Sequence, residues 1–507
     1  MTIPRPNFMR TSFLVLALSA ASTLVFSHVG LAQAGAGPAA FAGGVLTLSD
    51  AVTLARRNNP TLATSTNARR TAAAAVRSAN GALLPNVNTS FGGSYREGRQ
   101  TFFQGQAFGA TNNQLGTDAS MSANMSLSMA TLNDRRAAQV NQGATESDIA
   151  IAEQRIRTDV TTQYLSALQA RARAILQDTL VATTAAQLQL ARARLQVGSG
   201  TQLDVQNAEV ADGQQRVAAL NARNQAAIEV IRLFQQIGIP AVPDAILEAA
   251  LPATPAVDLL QVLDMAGRTN PQLESFRLRE QSATLSIASA RSAYFPSLAL
   301  SASVSGFTNR FTDTQLLIDG GKSSAVQSKA SCVRSEEVRA ALNLSNGLTQ
   351  CQAIAFTTAS EQTIRDAQGK YPFSFSRNPY SLSASFSLPI FNGFRREQQV
   401  EQATVQRLNA RNDVKAQQLR VSADVSAAFL SLTTAQQTVQ LQETNVRTAR
   451  TALALAQERY RVGAINLVDL VQARGNFERA ETDRINAIYD VQRQFTALEA
   501  AVGRPLR

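Results

Sequence analysis

One short turn, written twice in the chain, constrains the fold more than any other feature. The first copy is Arg194-Leu195-Gln196-Val197-Gly198-Ser199-Gly200-Thr201-Gln202-Leu203-Asp204-Val205, and the second is Arg459-Tyr460-Arg461-Val462-Gly463-Ala464-Ile465-Asn466-Leu467-Val468-Asp469-Leu470. In both, a long polar and apolar pattern of helical period stops at Val-Gly, where glycine can take the left-handed conformation that closes a helix. Three residues on, Thr201 or Asn466 is placed to cap the next helix. Asp204 or Asp469 then falls at the third helical position, where a carboxylate meets free backbone N–H groups. Each copy predicts a helical hairpin with almost no loop.

The repetition extends beyond the turn. An amphipathic helix opens at Leu48, with Ser49 as its expected cap, breaks at Asn59-Pro60 and resumes to Asn80. The same pattern returns at Leu259–Arg268, breaks at Asn270-Pro271 and runs to Ala293. Ser78-Ala79 before Pro85 matches Ser289-Ala290 before Pro296. Spacing held over a whole unit marks an internal duplication. The expected organisation is a first repeat over 35–237, a linker over 238–257 and a second repeat over 258–507.

Each repeat carries a strand hairpin, expected at 85–130 and at 296–391. Val87, Thr89, Phe91, Gly93 and Tyr95 alternate with Asn86, Asn88, Ser90, Gly92 and Ser94. The partner strand alternates from Ala119 through Met121, Ala123, Met125 and Leu127 to Met129. In the second repeat, Leu298, Leu300, Ala302 and Val304 alternate with serines, as do Tyr380, Leu382, Ala384, Phe386 and Leu388. Period two over about 10 residues, with one apolar face and one small polar face, is the pattern of a membrane β-barrel strand. A soluble sandwich strand also alternates. The strand length, the export signal and the aromatic residues near strand ends (Tyr95, Tyr294, Phe295, Phe307, Tyr380, Phe391, Phe394) favour the membrane. Four strands cannot close a barrel and lipid does not tolerate an open edge, so the chain is expected to oligomerise. The loop of the second hairpin, 309–377, is long. Within it, Gly320-Gly321-Lys322-Ser323 resembles the end of a phosphate-binding loop, but Leu316 stands where that motif needs a glycine, and no strand-to-helix context surrounds it.

After each hairpin comes a very long helical pattern, Asn133–Val197 and Arg395–Val462, each spanning ~100 Å at 1.5 Å per residue. The second holds a seven-residue spacing through Val425, Leu432, Val439, Val446, Leu453 and Tyr460, which predicts coiled-coil packing. Return helices are expected at 201–237 and 466–501.

Residues 1–34 read as a secretory signal, with Arg5 and Arg10 before the apolar run Phe13–Phe26 and Ala32-Gln33-Ala34 as the cleavage site. No cysteine lies near that site, so a lipid anchor is not expected. The single histidine, His28, falls inside the signal. The mature chain therefore has no histidine for a catalytic triad or a histidine-based zinc site, and neither an enzyme nor a cofactor is expected. Cys332 and Cys351 are the only cysteines, and in an exported chain they are expected to pair as a disulfide. The net charge of +11 is scattered along helices among Gln and acidic neighbours. This describes a solvated surface rather than a nucleic-acid site.

The doubled turn, of the form R-[YL]-x-V-G-x-x-[TN]-x-x-D-[VL], resembles the one that joins the longest helix to its return helix, twice per chain, in the TolC-type outer-membrane efflux channel family. The resemblance covers about 45–505. It implies a mainly α fold with membrane β: a trimeric 12-stranded β-barrel continued by a long α-helical coiled-coil barrel, with two internal repeats per chain. It further implies an outer-membrane channel-tunnel exporting small toxic compounds or secreted proteins. Its partners would be a periplasmic adaptor protein and an inner-membrane pump of ABC or RND type. Val197, Gly198, Val462 and Gly463 would then be the adaptor-contact turns. By the same resemblance, Asp469 falls on one acidic gate position, and Tyr460 on a tyrosine that binds the aspartate corresponding to Asp204. The second acidic position is Gln472 and the basic partner is Ile465, so part of the family's latch is missing. A plain alternative for these residues stays open, with both aspartates capping helices and Tyr460 in the core. The alternative for the whole chain is a trimeric coiled-coil surface protein with a membrane anchor, which predicts one terminal barrel segment instead of hairpins interrupting both halves.

Overall fold

The computed structural model describes residues 44–98, 101–104, 106–108, 112–242, 245–251, 254–344 and 347–506. The expected signal, 1–34, lies outside them. The elements follow in the order β1 (Val45–Leu46), α1 (Leu48–Asn58), α2 (Pro60–Gly81), β2 (Asn86–Arg96), β3 (Thr101–Phe103), β4 (Gln106–Phe108), β5 (Gln114–Leu127), α3 (Met129–Gln196), α4 (Gln202–Ile237), β6 (Ile246–Leu247), α5 (Leu259–Thr269), α6 (Pro271–Arg291), β7 (Ser297–Phe311), α7 (Thr314–Ala341), α8 (Leu348–Gln352), α9 (Thr358–Gly369), β8 (Ser376–Arg377), β9 (Ser381–Ser387), α10 (Arg395–Arg461) and α11 (Leu467–Val502). The described residues form two compact units, one within 44–68, 146–274 and 416–506, the other within 69–145 and 275–415.

The first unit is helical. Each Asn-Pro break is the point where a return helix is fastened. Proline cannot continue the preceding helix, so the chain turns at Asn59, whose Oδ1 accepts from the N–H groups of Thr61 and Leu62 and caps α2. The Asn59 amide donates to the Gln236 carbonyl at 2.7 Å, near the end of α4. There Gly238, at φ +88°, closes the helix with no room for a Cβ, which would lie 2.6 Å from the Asn58 carbonyl oxygen. The same junction is built at Asn270, which caps α6 through Gln272 and Leu273 and donates to the Ala501 carbonyl at 2.9 Å. Around the first junction pack Leu46, Leu62, Val160, Leu168, Leu233, Phe234 and Ile237. Around the second pack Val262, Val421, Val425, Leu432, Phe495, Leu498 and Val502. The cap of α1 is Thr47 rather than Ser49, because the Thr47 hydroxyl is the oxygen that accepts from the Asp50 N–H.

The heptad positions of α10 are its inner face: Val425, Leu432, Val446, Leu453 and Tyr460 are all buried. Opposite them runs a second apolar row that stays open. Leu408, Leu419, Leu430 and Leu441 recur every eleven residues and are 46–67% exposed, and eleven residues make three helical turns. On α4, Leu203, Val210 and Val217 form an exposed row at heptad spacing.

In the second unit, β2, β5, β7 and β9 form an antiparallel sheet in that order, with the short β8 also paired to β7. The register aligns the alternation read from the sequence across strands. Val87 sits opposite Ala123, which faces Ala302, which faces Leu382. On the other face Asn88, Ser122, Ser303 and Ser381 form one row. Hydroxyls bond across the ladder on that face, Ser90 to Ser120 at 2.7 Å and Ser301 to Ser383 at 2.6 Å. The second strand ends two residues before Met129, which alternation places on it. Ser128 and Thr131 cap each other's backbone there, and Met129 becomes the first residue of α3.

Most of the segment 309–377 is not open loop. After β7, which extends to Phe311, it folds into α7, α8 and α9, and Cys332 in α7 is bonded to Cys351 in α8 with Cα atoms 5.5 Å apart. Gly320-Gly321-Lys322-Ser323 lies inside α7, where it cannot form the loop that cradles phosphate. Gly321 has a steric use instead: a Cβ there would meet the Phe356 ring at 2.6 Å.

Candidate functional site

The two hairpin turns are built by the same backbone rules. At the first, Gly198 takes φ +72°, its N–H reaches Leu195 O at 3.0 Å and the Ser199 N–H reaches Arg194 O at 2.9 Å. At the second, Gly463 takes φ +78°, with Gly463 N–H to Tyr460 O at 3.1 Å and Ala464 N–H to Arg459 O at 2.8 Å. This pair of bonds satisfies the last carbonyls of each long helix and frees the chain to reverse. Val197 and Val462, just before the glycines, are 78% and 66% exposed, so each turn presents a bare apolar side chain at its tip.

The next helices are capped differently. The Thr201 hydroxyl accepts from Asp204 N–H at 3.1 Å and donates to the Asp204 carboxylate at 2.7 Å, and the Thr201 N–H also donates to that carboxylate at 3.0 Å. These bonds from Thr201 hold the Asp204 carboxyl below its ordinary range, with a smaller contribution from Arg194. Asn466 accepts from Asp469 N–H at 2.9 Å. The Asp469 side chain is exposed, and among the described residues no hydrogen bond or ion pair holds its carboxylate.

Tyr460 is 3% exposed and packs with Ala191, Val205, Ala208, Leu453, Leu467 and Leu470. Its hydrogen-bonded contact from the first hairpin is Arg194. That guanidinium donates to the Tyr460 carbonyl at 2.8 Å and to the Ser199 carbonyl at 3.1 Å, and its Cζ lies 4.9 Å from the centre of the Tyr460 ring. Burial pushes the Tyr460 phenol up, Arg194 opposes this, and the nearby charge of Asp204 adds to it. The two turns are thus joined through Arg194, while Asp204 is occupied within its own turn. Sequence reasoning names Arg194 only as the first letter of the doubled turn. Its recurrence as Arg459 in the second copy is the signal that could have singled it out. Gln472 is exposed and Ile465 half-buried beside Tyr460.

The chain combines tight helical hairpins with an antiparallel sheet that has one serine-lined face. Among the described residues no helix is long and apolar enough to cross a membrane, and no group of His, Cys, Asp and Glu residues is placed to hold a metal ion. The chain matches the model of the outer membrane efflux protein family over residues 51–239 and 262–504, and it belongs to that family. It is 24% identical over 378 residues to the outer membrane efflux protein BepC of Brucella suis biovar 1 (strain 1330), covering 74% of this chain and 69% of that one. Its fold is similar to that of a membrane protein from Pseudomonas aeruginosa, with TM-score 0.66, 18% identity and 90% of each chain covered. It is also similar to the Neisseria gonorrhoeae MtrE outer membrane channel in its open state, with TM-score 0.64, 17% identity, and 91% of this chain and 89% of that one covered. The protein is an outer-membrane channel for export and not an enzyme.

Proposed function

We propose that three copies of the chain close a 12-stranded β-barrel in the outer membrane and continue it into the periplasm as a barrel of coiled-coil helices. Each chain would contribute two repeats of one unit, 35–237 and 258–507. The observation that carries this reading is the sheet: most of its apolar residues share one face, yet β2 and β9 each have a single partner strand among the described residues. In hydrocarbon each unsatisfied backbone group costs on the order of several kcal/mol, so those edges must pair with a neighbouring copy. The open leucine row of α10 and the open heptad row of α4 support the same reading. They are apolar stripes of the kind that a neighbouring helix covers.

Such a tube catalyses nothing and supplies no energy. In this reading Val197-Gly198 and Val462-Gly463 are where a periplasmic adaptor grips, and an inner-membrane pump of ABC or RND type drives small toxic compounds or secreted proteins through. The gate lies at the same end. Three Asp469 carboxylates, held by no hydrogen bond among the described residues, narrow the opening and favour cations. Tyr460 and Asp204 belong to the latch that keeps it closed, and Arg194 supplies the cation that Ile465 does not.

Light scattering of the detergent-extracted channel tests the assembly, with a protein mass of three chains expected. A monomer or dimer that nonetheless conducts ions would overturn the twelve-stranded reading.

A further inference from the structure

We propose that Asp118 sets a cation preference in the outer stretch of the pore, separate from the gate at the hairpin turns. The inference rests on the barrel reading, in which the serine-lined face of the sheet looks into water and the apolar face into lipid.

Asp118 is the sole carboxylate on the strands β2, β5, β7, β8 and β9. It stands on the serine-lined face, level with Gly92 of β2 on one side and Phe307 of β7 on the other. The rest of that face is nearly neutral, and several of its hydroxyls are bonded to each other: Ser90 to Ser120, Ser301 to Ser383 and Ser303 to Ser381. The side chain of Asp118 is exposed, and among the described residues no hydrogen bond or ion pair neutralises it. The neighbouring positions make room for it. A Cβ on Gly92 would lie 2.5 Å from Asp118 Oδ1, so the carboxylate lies over the strand at a place only glycine leaves free. Phe307, 43% exposed, puts a phenyl ring on the same face on the other side. The cation of this face, Arg96, is four residues from Gly92 along β2, about 13 Å away.

The height of this position follows from the connections. β2 leaves α2 and β5 enters α3 at the Asn86 end of the pair, while Asp118 lies toward the Arg96–Gln114 end. With the helices on the periplasmic side, Asp118 is in the outer half of the barrel. Three such charges about 10 Å from the axis attract cations and repel anions, and the effect weakens as salt screens it. Removing them should lower the cation-to-anion permeability ratio about twofold at ~0.1 M salt and about fourfold at ~0.01 M.

The test is the reversal potential of the purified channel in planar bilayers under a KCl gradient. Asp118→Asn is expected to lower the K⁺/Cl⁻ permeability ratio by those factors, and Asp118→Lys to lower it further. Asp118→Cys supplies a second measurement, because the two native cysteines are bonded to each other. Its ratio should drop and then recover when a negatively charged methanethiosulfonate is added from the extracellular side. Conducting Asp118→Asn and Asp118→Lys channels with the wild-type ratio, or a labelled cysteine that changes nothing, would overturn the assignment. A wild-type protein that forms no ion-conducting channel overturns the barrel reading itself, and this inference with it.

Discussion

Replacing Arg194 with alanine should loosen both hairpin turns at once, although only one of them is mutated. The substitution removes the guanidinium bonds to Tyr460 O at 2.8 Å and Ser199 O at 3.1 Å, together with a cation 4.9 Å from the Tyr460 ring. A hydrogen bond to a charged group contributes ~1.5–3 kcal/mol, and a cation–π contact at an exposed site ~0.5–1 kcal/mol. Two effects reduce that sum. Arg194 is only half-buried, so water screens it, and the Tyr460 carbonyl keeps its bond from Gly463 N–H at 3.1 Å. A net loss of about 1–2 kcal/mol remains, which corresponds to roughly 5–30-fold more frequent local opening. Amide hydrogen exchange of the purified channel reads this directly at Ser199, Gly200, Gly463 and Ala464. Exchange should accelerate by that factor at both turns. Arg194→Lys, which keeps the charge but loses the planar fork, should fall between the two. Arg459→Ala removes the same letter from the second copy, where the side chain is exposed, and should leave both turns unchanged. If Gly463 and Ala464 in Arg194→Ala exchange within about twofold of wild type, the two turns are not coupled through this residue and the reasoning fails.

Two further outcomes follow. Gly238→Ala forces a side chain into a left-handed position and against the Asn58 carbonyl oxygen at 2.6 Å, and should destabilise the helical unit by about 2–4 kcal/mol. Its thermal melt should fall by several degrees, and an unchanged melting temperature would show that the junction yields without cost. Asp469→Ala should widen the gate and weaken its preference for cations in planar-bilayer recordings, whereas unchanged conductance and selectivity would remove Asp469 from the gate.

The parts of this molecule that were legible in the sequence are those in which one local rule suffices. The hairpin turns could be read because Val-Gly followed by a cap residue closes one helix and opens the next without help from the rest of the chain. The strand faces could be read because a period of two leaves no choice of side, and the register then carries Val87, Ala123, Ala302 and Leu382 into one row. The open row of α10 was hidden for the opposite reason. Leu408, Leu419, Leu430 and Leu441 are eleven residues apart, so a window of two or three turns holds one of them at a time, while the denser heptad row on the far side dominates the pattern. The helices of 314–369 were hidden because their contacts are tertiary. Phe356 seats on Gly321 and Cys351 bonds to Cys332, and neither relation has a period. Arg194 escaped because the contact that joins the two turns lies 266 residues further on.

The two copies of the turn share one backbone but cap the helix that follows in different ways. The glycine geometry is the same in both, and an aspartate follows the cap by three residues in both. The difference is the cap itself. A threonine hydroxyl can accept from the backbone and donate to a carboxylate at the same time, and Thr201 does both, which fixes Asp204 in its own turn. Asn466 takes the backbone N–H of Asp469 on its carbonyl oxygen, and among the described residues no corresponding bond reaches the exposed Asp469 carboxylate. Of the two aspartates, the one behind the asparagine is therefore the one whose carboxylate no described residue holds. If the gate proposed at these turns selects ions, Asp469 is the carboxylate through which it would work, with Asp204 holding the neighbouring turn in shape.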